Sequence, residues 1–143
     1  MTITSYNCPM CKRWEDESDL RIAEFEYCYL ILNRDQFFPG YCLLFAKQHF
    51  TELFQLDKVV RQGMIEELSQ VAAALYKLYK PDKINYELLG NMVPHIHWHL
   101  IPRFNTEPLW PRPIWSDPHE DLYLTAPEYQ NRCDLIRNSL ETI

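Results

Sequence analysis

The run Asn91-Met92-Val93-Pro94-His95-Ile96-His97-Trp98-His99-Leu100-Ile101-Pro102-Arg103 decides how the rest of this chain is read. Three histidines alternate with three apolar residues, and a period of two belongs to a β-strand. Such a strand projects His95, His97 and His99 from one face and buries Ile96, Trp98 and Leu100 on the other. Successive histidines then stand roughly 6.6 Å apart along the strand. Pro94 and Pro102 bracket the run, and proline, which lacks a ladder donor, belongs at strand ends. One strand of about seven residues is expected.

Three imidazoles in strict alternation admit three readings. The first is the solvated face of an edge strand, although such faces are usually built from Lys, Glu and Thr. The second is a row of metal ligands. The third is catalysis. A neutral imidazole is a nucleophile, and its pKa of about 6.5 lets a neighbouring ring act as an acid.

The segment His95 to Ile101 resembles the His-φ-His-φ-His-φ-φ motif of the histidine triad superfamily of nucleotide hydrolases and transferases. The Pro102-Arg103 that follows is similar to many members. Upstream, Asn33-Arg34-Asp35-Gln36-Phe37-Phe38-Pro39-Gly40-Tyr41 resembles the family's ribose- and base-binding segment. The resemblance spans roughly residues 5 to 104 and is nearest to zinc-containing members similar to diadenosine polyphosphate hydrolases. It implies an α+β fold, an antiparallel sheet of about five strands with a long helix and a C-terminal helix. Residues 1–143 then form a single domain, with its core at about 5–104 and an arm and helix over 105–143. It also implies a homodimer formed through the long helix and an edge strand.

The same resemblance implies residue roles. His97 is the nucleophile that attacks the α-phosphorus of a nucleotide, giving a nucleotidyl-imidazole that water hydrolyses. His99 binds the phosphate or acts as general acid, and His95 orients its neighbour or serves a metal. Asn33 hydrogen-bonds ribose hydroxyls, Asn91 donates to phosphate in place of a glutamine, and Arg103 assists an anionic substrate. Candidate substrates are dinucleoside polyphosphates such as diadenosine tetraphosphate, and nucleoside phosphoramidates. Two positions depart from the pattern. Tyr41 stands where many members have histidine, and Met92 where a hydroxyl is usual.

Cys8-Pro9-Met10-Cys11 reads as a metal knuckle or a redox pair. A thioredoxin-like pair needs a strand before it and a helix after it, and neither is evident, so a metal is favoured. Two further ligands are then required. In zinc-containing branches of the superfamily they are a histidine ending a central strand and the first histidine of the triad. The resemblance therefore implies structural zinc held by Cys8, Cys11, His49 and His95, a closed tetrahedral set.

Composition narrows the field. The 143 residues are 47% hydrophobic and 14% aromatic, enough for one core, and the net charge of −6 argues against a nucleic-acid partner. No apolar run is long enough to span a membrane, and no secretory signal is visible. Five cysteines, an odd number, suit a cytoplasmic chain without disulfides. Cys28, Cys42 and Cys133 sit in apolar runs and read as core.

The remaining elements follow from periodicity. Residues 21–33 read as a strand or two with a bend, and 41–48 as a strand ending near His49. Asp57 to Tyr79 is the best helix, with Val60, Met64, Leu68, Val71, Leu75 and Leu78 at offsets of three and four. Asp57 is its expected N-cap, and Pro81 stops it. Residues 83–90 read as a strand. The arm after residue 104 is expected to be ordered, because Trp110, Ile114 and Trp115 are too apolar for a linker. A last helix from Glu128 places Leu135, Ile136 and Leu140 on one face. Two other functions compete with nucleotide hydrolysis. One is a non-catalytic, zinc-stabilised nucleotide-binding or interaction protein. The other is an iron or manganese enzyme, for which no carboxylate is placed to complete the site.

Overall fold

A computed structural model describes residues 4–141. Five strands form one antiparallel sheet: β1 (Arg21–Glu24), β2 (Cys28–Leu32), β3 (Cys42–Ala46), β4 (Lys83–Glu87) and β5 (His97–Arg103). Their spatial order is β1-β2-β3-β5-β4, so the histidine strand lies inside the sheet between β3 and β4. Among the described residues there are three α-helices: α1 (Arg13–Asp16), α2 (Lys58–Tyr79) and α3 (Ala126–Glu141). The expected five-stranded α+β architecture with a long helix and a C-terminal helix is the one observed.

Register determines which side chains share a face, because residues directly opposite in an antiparallel pair project together. Tyr29 lies opposite Phe45, and Phe45 opposite His97; Ile31 lies opposite Leu43, and Leu43 opposite His99. These residues form the histidine face. Leu30, Leu44 and Trp98 form the reverse face, which α2 and α3 cover. All three are buried, each contributing roughly 1.5–3 kcal/mol.

Helix α2 spans 22 residues, about 33 Å at the α-helical rise. Its buried Met64, Leu68, Val71 and Leu75 follow the expected stripe. Asp57 occupies the N-cap position through its carbonyl, which accepts from the Arg61 N–H at 3.0 Å, and its side chain makes no cap bond. At the other end Lys80 turns left-handed (φ 51°), and Pro81 follows. Gly63, inside α2, makes room for a ring: a Cβ there would lie 2.2 Å from Cε2 of Tyr27. The adjacent Glu67 accepts from the Tyr27 N–H at 3.0 Å, so the β1–β2 turn is bolted to the helix. Gly40 ends the Pro39-Gly40 turn at φ +87°, with the Tyr79 ring where a Cβ would stand.

Two boundaries differ from expectation. Strand β5 begins at His97, not at His95, and runs through Pro102 to Arg103. Its pairing with β3 ends at Leu100. The Arg103 carbonyl accepts from Asp82 N–H on the β4 side, so Pro102 turns its nitrogen to the other side, where β3 has ended and no donor is required. In α3 the buried residues are Tyr129, Cys133, Ile136 and Ser139, while Leu135 is 45% exposed. The core stripe therefore runs through Cys133 and Ile136, and Leu135 lies beside it.

The arm between β5 and α3 is folded back over the sheet. Leu109 and Ile114 are buried, as expected of an ordered arm, but Trp115 is 55% exposed. Asp35 hooks the arm, accepting from the Leu122 N–H at 2.8 Å and from His119 Nε2 at 2.8 Å. Burial alone would raise the Asp35 pKa; the N–H groups of Leu122, His119 and Phe37 hold it below the usual value instead.

Candidate active site and metal centre

Four of the sequence-predicted ligands come together. Cys8, Cys11, His49 and His95 place one ligand atom each within 4.8 Å of one another. Cys8 and Cys11 come from the N-terminal segment, His49 follows β3, and His95 precedes β5. A tetrahedral zinc ion with ordinary Zn–N and Zn–S bonds sets N···N at about 3.3 Å and S···N at about 3.6 Å. Here His49 Nδ1 and His95 Nδ1 are 3.3 Å apart. Cys11 Sγ lies 3.3 Å from His49 Nδ1 and 3.5 Å from His95 Nδ1, and Cys8 Sγ is 3.5 Å from His95 Nδ1. The donors thus already stand at the spacing of a closed zinc site.

His95 supplies a second indication. Its Nε2–H donates to the Ala46 carbonyl at 2.7 Å, which leaves Nδ1 unprotonated and aimed at the cysteines. A ring held this way is oriented for metal. With Nε2 bound to the carbonyl and Nδ1 facing the cluster, His95 is placed to ligate a metal, with neither ring nitrogen turned toward His97. Without a metal, burial and the neighbouring Cys8 push the Cys11 thiol up to about 11. A coordinated cation favours the thiolate instead.

His97 and His99 remain on the open part of the face, with ring centroids 5.0 Å apart. His97 Nδ1–H donates to the His95 carbonyl at 2.6 Å. The lone pair is therefore on Nε2, directed away from the backbone. Burial lowers the His97 pKa, the His95 carbonyl works against that, and the charge of Arg13 lowers it further. Burial, His97 and Arg13 bring His99 down to about 4. Both rings are neutral at pH 7.

Tyr41 lies at the edge of this pair. Its hydroxyl is 2.5 Å from His99 Nδ1, and burial raises its pKa far above the ordinary phenol value, so it retains its proton. Among the described residues the hydroxyl has His99 as its hydrogen-bond partner. Tyr41 then donates, Nδ1 accepts, and the His99 proton resides on Nε2. His97 thus presents a bare nitrogen and His99 an N–H, a lone pair beside a hydrogen-bond donor. In the sequence Tyr41 read as a weakening departure. The available signal was the alternation Tyr41, Leu43, Phe45, which places it on the histidine face.

A cavity of about 340 Å³ opens beside the two rings, lined by Leu89, Gly90, Asn91, Met92, Val93, His97, His99 and Trp115. Asn91 is therefore at the site, and Met92 is 88% exposed at its mouth. Trp115, which sequence reasoning valued only as an apolar anchor, sets its ring edge-on to His99 at 5.3 Å and donates from Nε1 to Glu87 at 3.1 Å. Asn33 follows β2, where its amide donates to the Asp35 carbonyl at 3.0 Å. Arg103 is placed differently from the expectation. It is 1% exposed and spends its guanidinium on Glu107, on Asn85 Oδ1 at 2.8 Å and on the Arg112 carbonyl at 2.7 Å. It holds the arm to the sheet and presents no free donor to a substrate.

The N-terminal segment covers the same face. Trp14 stacks on Tyr29, centroid to centroid 4.4 Å and 14° from parallel. Beside it, Arg13 pairs through Nε with Glu17.

Comparison with known proteins agrees with this geometry. A HIT domain matches residues 15–106. A histidine triad protein of Bradyrhizobium japonicum superposes with a TM-score of 0.78 at 30% identity, covering 88% of this chain and 94% of that one. A Zn-bound histidine triad family protein of Mycobacterium smegmatis superposes with a TM-score of 0.70 at 25% identity, covering 97% and 96%. In sequence, the chain is 27% identical over 110 residues to the adenylylsulfatase HINT3 of Arabidopsis thaliana; the match takes in 73% of this chain and 56% of that protein, little more than half its length. The histidine row, the cavity beside it and the match over most of the chain lead to one assignment: this protein belongs to the HIT domain family.

Proposed function

We propose that the protein is a nucleotide hydrolase or transferase that attacks the α-phosphate of its substrate through a covalent nucleotidyl-histidine on His97. The observation that carries this reading is the hydrogen bond from His97 Nδ1 to the His95 carbonyl, which leaves Nε2 as a neutral nucleophile. Attack forms the Nε2–P bond and breaks the bond to the leaving group, which departs as an anion hydrogen-bonded by Nε2–H of His99 and takes its proton from solvent. Water then attacks phosphorus, the P–N bond breaks to return the lone pair to His97 Nε2, and the water proton is released to solvent. Asn91 and the backbone around it hold the phosphate oxygens, and Asn33 the ribose.

Zinc bound by Cys8, Cys11, His49 and His95 supplies structure, not chemistry, since a set of four protein ligands leaves no open position. These residues tie the N-terminal segment to the start of β5. Two thiolate ligands suit a reducing compartment such as the cytoplasm. The edge strands of the sheet, β1 and β4, together with the apolar side chains Val59, Ile65 and Tyr76 exposed on α2, support a homodimer.

Dinucleoside polyphosphates, nucleoside phosphoramidates and adenylyl sulfate are the substrates to test, the last because the Arabidopsis relative is an adenylylsulfatase. Rapid quenching without acid, followed by mass spectrometry, is expected to find the nucleotidyl adduct on the peptide containing His97. Met92 at the cavity mouth favours one alternative, a nucleotide-binding protein without turnover, because it supplies no hydroxyl to phosphate. Tight nucleotide binding with no adduct and no hydrolysis of any of the three classes would establish that alternative.

A further inference from the structure

The triad face carries a cation that no part of the mechanism above uses. Arg13 follows two residues after Cys11, on the short helix that Trp14 stacks against the histidine face. Its Nε is held by Glu17, whose other oxygen lies 3.5 Å from Arg34 Nε. Among the described residues the two terminal nitrogens of Arg13 have no partner. One edge of the guanidinium is therefore anchored, and the edge that binds a phosphate in fork geometry is open. The other arginine near the site, Arg103, is fully committed.

The location of Arg13 agrees with this. Trp14, the next residue, stacks on Tyr29, which shares a cross-strand row with Phe45 and His97, and Glu17 links the Arg13 guanidinium to Arg34, the neighbour of Asn33. The cavity lining itself holds no lysine or arginine, so an anion at the two rings has no other cation at hand from that side.

We propose that Arg13 is a phosphate-binding residue of the active site, presented to His97 and His99 by the cysteine knuckle that precedes it and by Glu17. This rests on the nucleotide reading given above. It assigns the metal centre a second consequence: by fixing Cys8 and Cys11 it fixes the root of the helix from which Arg13 reaches the substrate. A guanidinium there neutralises charge as the phosphoryl oxygens crowd in the transition state.

The test compares nucleotides with nucleosides on the full-length, zinc-loaded protein. Affinities for AMP and GMP, and for adenosine and guanosine, are measured by calorimetry for wild type, R13Q, R13M and R13K, alongside metal content and Tm. Loss of one charged fork is expected to weaken monophosphate binding at least about 10-fold in both neutral variants. Nucleoside affinity should stay within about twofold, and R13K should recover part of the loss. R13Q and R13M binding the monophosphates as wild type does would overturn the assignment. So would an equal loss for nucleosides, which marks a merely structural arginine. If wild-type protein turns over nucleotides while R13Q matches it, Arg13 alone falls. If wild type binds no nucleotide at all, the functional reading falls with it.

Discussion

The hydroxyl of Tyr41 lies 2.5 Å from Nδ1 of His99. This contact fixes which His99 nitrogen carries the proton, and so which ring of the pair presents an N–H to the cavity. Replacing Tyr41 by Phe removes the donor and leaves the two tautomers of His99 free to interchange. We expect kcat to fall by about 10- to 100-fold, the range of lost orienting partners, with KM changed by less than about twofold. Steady-state kinetics of Y41F checks this; unchanged kcat would show that the tautomer is set elsewhere.

His97→Ala should abolish turnover and leave nucleotide affinity within about threefold, because the covalent step needs the ring nitrogen and binding does not. His99→Ala should cost less when the leaving group is a weak base that departs without a proton. A set of phosphoramidates of graded amine basicity, assayed with both variants, separates the two roles. Residual wild-type rates in H97A would remove His97 from the chemistry.

The purified protein should carry about one zinc per chain, and Cys8→Ser should lose it. If the ion contributes about 3 kcal/mol, a domain of this size should lose roughly 10 °C in Tm on chelation. Elemental analysis and a thermal scan with and without chelator test both statements. A metal-free native protein with the same Tm would exclude the centre.

Arg103→Ala should act on stability and not on recognition. Removing one partner of a buried, hydrogen-bonded pair typically costs about 3–5 kcal/mol, and here it strands Glu107 and Asn85. Urea unfolding should register that loss, while AMP affinity of the folded variant stays within about twofold. A selective loss of nucleotide affinity would return Arg103 to the binding site.

The low pKa values of the triad have a sign. Burial brings His99 down to about 4 and keeps His97 below its ordinary value. Protonation therefore does not silence His99 near neutrality, and kcat/KM should fall less from pH 8 to pH 6 than it would for unperturbed imidazoles, which are mostly charged at pH 6. For stability, the unfolded chain takes up protons that the folded His99 refuses. Its contribution is thus present above about pH 6.5 and lost as pH falls toward 4, amounting to about 3 kcal/mol at the depression seen here. A pH–rate profile and denaturation between pH 4 and 8 check the two signs.

Much of this was visible in the chain itself. Alternation marked the histidine strand, and the offsets in residues 57–79 marked α2, because both signals depend only on which face is buried. The start of β5 was not legible, since His95 leaves the strand to reach cysteines 84 and 87 positions away. Arg103 was misread for a related reason. Arginine beside a triad looks available, and only the fold back of the arm places Glu107 and the Arg112 carbonyl around it. Tyr41 and Arg13 act through distances that no local pattern encodes. The same is true of Leu135, whose exposure follows from how α3 is rotated against its neighbours.

His95 joins two systems by a single residue: its ring faces the cysteines, and its carbonyl receives the His97 proton. Replacing zinc by cobalt(II) in a tetrahedral thiolate–imidazole environment would install a visible chromophore one residue's length from the nucleophile. A nucleotidyl group on Nε2 would make the His97 ring cationic and so strengthen its Nδ1–H bond to the carbonyl of His95, the proposed metal ligand. The colour of the cobalt protein would then keep time with the covalent step, making the course of a single turnover readable by stopped-flow absorbance on an unlabelled substrate.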